Sequence, residues 1–167
     1  LSASATLEHG SISISATETA LNIYLSEKLR AFHTEYPGIR LRISNHSTPQ
    51  AVQAVKNGEV DFAIISTPAE IESGLKLVEL KPFYEVLVGG RTFTALASQS
   101  LTLKESELGL AFVPEPMAKE SLERGELVQL HLQEIIPTRS ICLVYDHHRP
   151  LNTAARKFQQ MLTKAEA

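Results

Sequence analysis

The sequence predicts an α/β fold built on a doubly wound parallel sheet, and three N-terminal stretches carry that expectation. They are Ile12-Ser13-Ile14-Ser15-Ala16-Thr17-Glu18-Thr19, Tyr36-Pro37-Gly38-Ile39-Arg40-Leu41-Arg42-Ile43 and Lys56-Asn57-Gly58-Glu59-Val60-Asp61-Phe62-Ala63-Ile64-Ile65. Each sets a strand against a turn or a helix end, and together they read β-α-β-α-β. Two of the strands run straight into hydroxyl-rich loops that open helices. In an open parallel sheet, the loops at the carboxyl ends of the strands are where small ligands bind.

After Thr19, the apolar residues Leu21, Leu25, Leu29 and Phe32 recur at helical spacing, with Glu27, Lys28, Arg30 and Glu35 on the opposite face. Pro37-Gly38 ends this helix, because proline disfavours helical geometry in the residue before it and glycine supplies the turn. A second helix is expected to open with Thr48 as N-cap and Pro49 at its first position, where a missing N–H costs nothing. Val52 and Val55 face the core, and Asn57-Gly58 closes the helix. Residues 60–65 are almost wholly apolar, as in a central parallel strand covered on both faces. Residues 39–43 instead alternate apolar and polar, which marks an edge strand with one wet face. The resulting strand order is 2-1-3. Near the C-terminus, Leu151, Ala155, Phe158 and Leu162 line one side of a last helix and read as core packing.

At 167 residues and 43% apolar composition, the chain can bury one modest core or two small ones. A net charge of −3 provides no global basic field to hold nucleic acid. The single cysteine, Cys142, excludes an internal disulfide and lies in the apolar run Ile141-Cys142-Leu143-Val144, so it reads as a buried strand residue in a reducing compartment. No stretch approaches the roughly 18 apolar residues of a membrane span. Residues 1–10 read as a linker remnant.

Catalytic and metal constellations fail on spacing. His147 and His148 are adjacent, so in a strand they would face opposite ways and in a loop they lack two further ligands; no metal site is expected. His131 alternates with Leu130 and Leu132 and reads as the solvent face of a strand. Gly89-Gly90 lacks the Lys-Ser/Thr of a phosphate loop, and no Gly-x-Ser-x-Gly elbow is present. Glu115, Lys119, Glu120, Glu123 and Arg124 decorate the solvated face of a helix that ends at Gly125.

Several motifs, in order, carry a resemblance. Thr19-x-x-x-x-Tyr24-Leu25, Phe32-x-x-x-Tyr36-Pro37 and Lys56-x-Gly58-x-x-Asp61-x-Ala63-Ile64 are followed by Leu108-Gly109-Leu110-Ala111-Phe112-Val113-Pro114, Gly125-Glu126-Leu127-Val128 and Arg149-Pro150-Leu151 leading to Phe158. This series resembles the C-terminal effector-binding domain of LysR-type transcriptional regulators across nearly the whole chain. The resemblance implies a type 2 periplasmic-binding-protein-like fold: two doubly wound α/β lobes joined by crossing strands. Lobe I would comprise 11–82 and 135–167, and lobe II 83–134. It also implies a cytoplasmic homodimer, or a tetramer in the full-length protein. DNA would be bound only by a winged helix-turn-helix ahead of this domain, absent here, and neither cofactor nor membrane is involved. A small, anionic effector would occupy the inter-lobe cleft and bias lobe closure.

The resemblance also exposes a departure. Lobe II of the family contains several βα units after Val86-Leu87-Val88-Gly89-Gly90, yet here Leu101-Thr102-Leu103-Lys104-Glu105 runs almost directly into Leu108. One βαβ unit needs about 30 residues, so about two units are missing between Glu105 and Leu108. Either residues lie unwritten there or the deletion is real. The former is expected, because strands 85–88 and 109–113 would otherwise lack neighbours and expose apolar faces.

Candidate ligand-binding residues follow from the carboxyl-end loops: Ser15, Thr17 and Thr19 after the first strand, Ser47 and Thr48 after the second. Hydroxyls and backbone N–H groups at two helix N-termini suit a carboxylate. The resemblance carries over most directly to Thr17, Thr19 and Thr48. N-capping alone accounts for a hydroxyl at such positions, most of all for Thr48 before Pro49, whereas Thr17 and Thr19 together exceed what one cap requires. Glu18 would repel a bound anion unless its side chain points away. Ser66, with Thr67, ends the third strand, and Pro114 stands at the cleft or hinge from lobe II. The expected function is effector sensing rather than catalysis. The alternative is a stand-alone solute-binding protein of the same fold serving transport, and an enzyme on that fold would need its acid or base in the missing segment.

Overall fold

Apolar strands, amphipathic helices and their caps assemble largely as read in the computed structural model, which describes residues 9–102 and 109–164. In chain order the elements are β1 (Ser11–Ala16), α1 (residues 18–35), β2 (Arg40–Asn45), α2 (Thr48–Lys56), β3 (Phe62–Ser66), β4 (Leu75–Phe83), β5 (Glu85–Gly90), a 3-10 turn (Arg91–Leu96) and β6 (Ser100–Leu101). Then follow β7 (Ala111–Pro114), α3 (Glu115–Glu123), β8 (Leu127–Leu132), β9 (Arg139–Asp146) and α4 (Thr153–Lys164). They form two compact units: one runs up to Lys81 and resumes at Ser140, the other is Pro82–Arg139.

The first unit contains a five-stranded sheet in the order β2-β1-β3-β9-β4, so the expected 2-1-3 order holds. β1 runs parallel to both neighbours, with Ile14 opposite Ile43 on one side and Phe62 on the other. β9 closes onto β3 antiparallel, Ala63 opposite Val144. Helices cover both faces of this sheet. On one, Ala51, Val52 and Val55 of α2 pack on Ala63, Ile65, Cys142 and Val144. On the other, Phe158 of α4 meets Phe32 of α1 edge-on at 5.1 Å and Phe62 of β3 at 6.3 Å. Each buried aromatic ring of this kind contributes roughly 1.5–3 kcal/mol by leaving water.

Within α1 the structure adds a feature that periodicity alone did not predict. Residues Leu21–Leu25 form a π turn, in which the Ser26 N–H reaches back five residues to the Leu21 carbonyl. The extra residue per turn rotates the following side chains. Tyr24 is thereby buried with Leu25, while Leu21 and Leu29 of the expected stripe are only half-buried. The cap of α2 also differs from expectation. Ser47, not Thr48, is the N-cap, forming a capping box in which its N–H donates to Gln50 Oε1 at 3.4 Å. The C-terminus is as read: Gly58 takes a positive φ of 75°, its N–H reaches the Val55 carbonyl, and the Glu59 N–H reaches that of Ala54. Arg149, distant in sequence, completes this end by donating to the carbonyls of Val55 (3.2 Å) and Lys56 (3.4 Å).

Asp61 locks β1 against β3. Its N–H donates to the Ser13 carbonyl at 2.9 Å while its Oδ2 accepts the Ser13 N–H at 2.8 Å. α4 is tied to the same strand by Asn152, whose Oδ1 accepts the Ala155 N–H and whose Nδ2 donates to the Ser11 carbonyl.

The second unit holds a four-stranded sheet in the order β6-β8-β5-β7. β5 is antiparallel to both neighbours, Leu87 lying opposite Phe112 of β7 and Leu130 of β8. The expectation that strands 85–88 and 109–113 would lack neighbours is corrected here: they pair with each other, and β8 flanks the first. Of these two strands, β7 is at an edge of the sheet, with Phe112 39% exposed. The core of this unit is Leu87, Leu101 and Leu130, covered by Phe93, Leu96 and Leu110. Gly89 admits that cover, since a Cβ there would stand 2.7 Å from Leu110 Cδ2 and 2.9 Å from Phe93 Cδ2. His131 is exposed on β8, and the charged residues of α3 face solvent. The break expected between Glu105 and Leu108 lies outside the described residues, as do residues 1–8 of the linker assigned to 1–10.

Two outcomes are expected. Asp61→Ala strands the Ser13 N–H and should lower stability by about 1–3 kcal/mol in urea unfolding, with the helix content of the native state unchanged. Cys142 is buried, and burial, with a smaller contribution from the Glu79 carboxylate, raises its pKa from 9.0 to about 11. A thiol reagent should therefore modify it only after unfolding. Because the unfolded thiol ionises first, stability should fall as pH rises above about 9, and Cys142→Ala should flatten that fall.

Candidate functional site

The first unit gathers three of the sequence-predicted residues at the carboxyl ends of β1 and β3. Thr17 follows β1 in extended geometry and caps α1, its Oγ1 accepting the Ala20 N–H at 3.2 Å. Its own N–H prolongs the β1–β3 pairing by donating to the Ile64 carbonyl. That leaves Thr17 Oγ1 3.3 Å from the hydroxyl of Ser66, the last residue of β3. Ser66 in turn accepts the Thr48 hydroxyl on its carbonyl at 3.0 Å. Thr17, Ser66 and Thr48 thus form one hydrogen-bonded row across the strand ends, and Thr48 is freed for it because Ser47 has taken the cap.

The remaining residues separate by role. Thr19 is half-buried in the first turn of α1, and its hydroxyl has no partner among the described residues. The N–H groups of Glu18 and Thr19 have no carbonyl one turn back to bond, so this helix start presents donors and a positive dipole end together. Glu18 is exposed. Ser15 is fully buried and donates to the Ala51 carbonyl at 3.0 Å, which fastens α2 to β1. Ser47 is exposed and occupied in capping. Thr67 is also structural: its Oγ1 accepts the Ser140 N–H, and a cis peptide bond to Pro68 follows. Pro114 belongs to the second unit, buried at the N-cap of α3.

Sequence reading missed a cavity of about 630 Å³ on the flank of this unit, reached by Thr48. It lies between α2, which contributes Pro49, Val52 and Lys56, and the segment after Pro68, which contributes Ile71 and Leu75. An ion pair of Lys56 with Glu72 spans the two walls. No local signal announces it, because its two walls meet only through packing. Among the described residues, the row offers hydroxyl and backbone donors and acceptors.

Comparison with known proteins bears on the family and the fold. Residues 5–105 and 94–167 match the family described as the LysR substrate binding domain. A probable RuBisCO transcriptional regulator of Trichormus variabilis is 22% identical over 206 positions, covering 92% of this chain and 61% of the relative. One of the same name from Guillardia theta is 26% identical over 164 positions, covering 97% of this chain and 47% of the relative. The chain thus spans about half to three-fifths of these curated relatives. Among solved structures, the effector-binding domain of QuiR in complex with shikimate superposes with a TM-score of 0.78 at 15% identity, covering 95% of this chain and 97% of that one. The regulatory domain of CcmR from Synechocystis, in complex with 2-PG, gives 0.77 at 15% identity, covering 95% and 98%. Full-length CbnR bound to its target DNA gives 0.73 at 12%, covering 99% and 71%. With the periplasmic-binding-protein-like fold in place and both halves of the sequence matched, the chain belongs to the LysR substrate-binding domain family.

Proposed function

We propose that this chain is the effector-sensing domain of a LysR-type transcriptional regulator and binds a small anionic metabolite at the carboxyl ends of β1 and β3. The observation that carries the reading is the row Thr17–Ser66–Thr48 beside the open start of α1. Thr19 and the first N–H groups of α1 would receive the anion's charge, with Thr17, Thr48 and Ser66 orienting it and Ser47 at the rim. Ser15 supports α2 from below, and Pro114 is the residue proposed from the second unit. Shikimate, bound by the QuiR domain, is itself a carboxylate, and the curated relatives carry the names of regulators rather than of enzymes. Binding would act through differential affinity for two arrangements of the protein and so alter DNA binding by a separate winged helix-turn-helix domain.

The proposed lobes are 11–82 with 135–167, and 83–134; the two compact units support that division. The second lobe is proposed to be incompletely represented, with a segment missing between Glu105 and Leu108. In support, the family matches in two overlapping stretches rather than one. In addition, 92% of 167 residues is about 154, so about 52 of the 206 positions aligned with the Trichormus regulator have no counterpart here. Pairing as a homodimer, with the edge strand 39–43 and the helix before it in the interface, and residence in the cytoplasm complete the proposal. No described helix is long and apolar enough to cross a membrane.

Thermal shift and calorimetry with a panel of small carboxylates and their neutral amides test this. At least one carboxylate should raise Tm while its amide does not; equal shifts from both would reject the anion site. Thr19→Val should weaken that ligand by about tenfold, the weight of one hydrogen bond to a charged group, and leave Tm of the free protein unchanged. Ser15→Ala should do the reverse, lowering stability by about 1 kcal/mol with affinity retained.

A further inference from the structure

Two adjacent histidines, which spacing alone sets against metal binding, are brought together by the turn that follows β9. His147 and His148 do not point apart as they would in a strand. Their rings stack with centroids 3.9 Å apart and planes 39° apart. Asp146, the last residue of β9, supplies a third donor, and one ligating atom from each of the three lies within 4.8 Å of the others.

Three details favour a cation over an ordinary polar turn. First, His148 Nδ1 stands 3.6 Å from Asp146 Oδ1. That is too long for a hydrogen bond. It is close to the edge of a coordination tetrahedron, which for metal–ligand bonds of 2.0–2.2 Å is about 3.4 Å. Second, His147 Nδ1 lies 3.2 Å from the Gly74 carbonyl. A carbonyl only accepts, so Nδ1 carries the proton, and in the neutral ring that leaves the lone pair on Nε2; an outer partner of this kind orients metal-bound imidazoles. Third, the competing cation is placed on the other oxygen. The Arg149 guanidinium is 3.7 Å from Asp146 Oδ2 and is also engaged by the Val55 and Lys56 carbonyls, while Oδ1 accepts the His148 backbone N–H at 3.0 Å and keeps a lone pair on the side of the His148 ring.

We infer that Asp146, His147 and His148 form a surface site for one divalent transition cation, with water filling the remaining positions. Two imidazoles and one carboxylate select Zn²⁺, Ni²⁺ or Cu²⁺ over Mg²⁺ and Ca²⁺, which require oxygen donors. The ion would join the end of β9 to the residue before β4, through His147 and its bond to Gly74. The site is independent of the anion-binding residues.

The test is zinc titration of chelator-treated protein by calorimetry, with equilibrium dialysis for stoichiometry. One Zn²⁺ per chain is expected, with no heat from Mg²⁺. His148 is 70% exposed, so His148→Ala should retain the native circular dichroism yet weaken zinc by on the order of tenfold or more. In the Cu²⁺-loaded protein, electron paramagnetic resonance should show coupling to two nitrogens, reduced to one in either histidine variant. Zinc binding that is absent, or unchanged in both His147→Ala and His148→Ala, would overturn the inference.

Discussion

Asp61 grips one residue of β1, Ser13, from both its backbone and its carboxylate, and the rest of the first unit inherits the register set by that pair. With Ser13 held, Ile14 faces Phe62 and Ala16 faces Ile64. Thr17 then emerges level with Ser66. A slip of one residue would exchange the faces of β1, drive Ile12 and Ile14 toward α2 and carry Thr17 away from the Ser66 hydroxyl. The Gly58-x-x-Asp61 run is therefore structural in its first effect and functional in its second: it closes a helix, then aligns the strand ends on which the hydroxyl row stands.

Helix placement obeys the same constraint from the other side. β1 turns Ser13 and Ser15 toward α2 and Ile12 and Ile14 toward the aromatic cluster of α1 and α4. The small Ser15 lets α2 come close enough to accept its hydrogen bond on the Ala51 carbonyl. The opposite face is filled by Phe32, Phe62 and Phe158, whose volume a serine could not replace. Both sides of the sheet are buried, but β1 presents serines to one and isoleucines to the other. The α2 side, packed by small aliphatic residues, also positions Thr48, and the other side is filled by the aromatic rings.

Much of this is written locally. Apolar spacing marked α1, α2 and α4, and Pro37-Gly38 and Asn57-Gly58 marked two helix ends, because capping and turn geometry depend on residues a few positions apart. Where two residues compete for one local role, local reading failed. Ser47 and Thr48 are both good caps, and Gln50, three residues after Ser47, decides for the former through the capping box. The π turn in α1 also escaped periodicity, since one extra residue changes which side chains are buried without changing the composition of the stripe. His147 and His148 would face apart in a strand and lack two further ligands in a loop, and the turn places them side by side with Asp146 as one further donor.

By itself, the sequence determined the β-α-β-α-β order, the apolar faces, the hydroxyls at the strand ends and the family motifs, all properties of short spans. Tertiary structure alone decided which hydroxyls meet across the fold and which are spent there. Ser15 is used up against Ala51 and Thr67 against Ser140, while Thr17, Ser66 and Thr48 form one row. It likewise decided that β5 and β7 pair with each other, and that Arg149 caps a helix from about ninety residues away. The reason is the same throughout: a hydroxyl, an imidazole or a strand edge offers the same bonding capacity to every neighbour, and only packing settles which neighbour is within 3 to 4 Å.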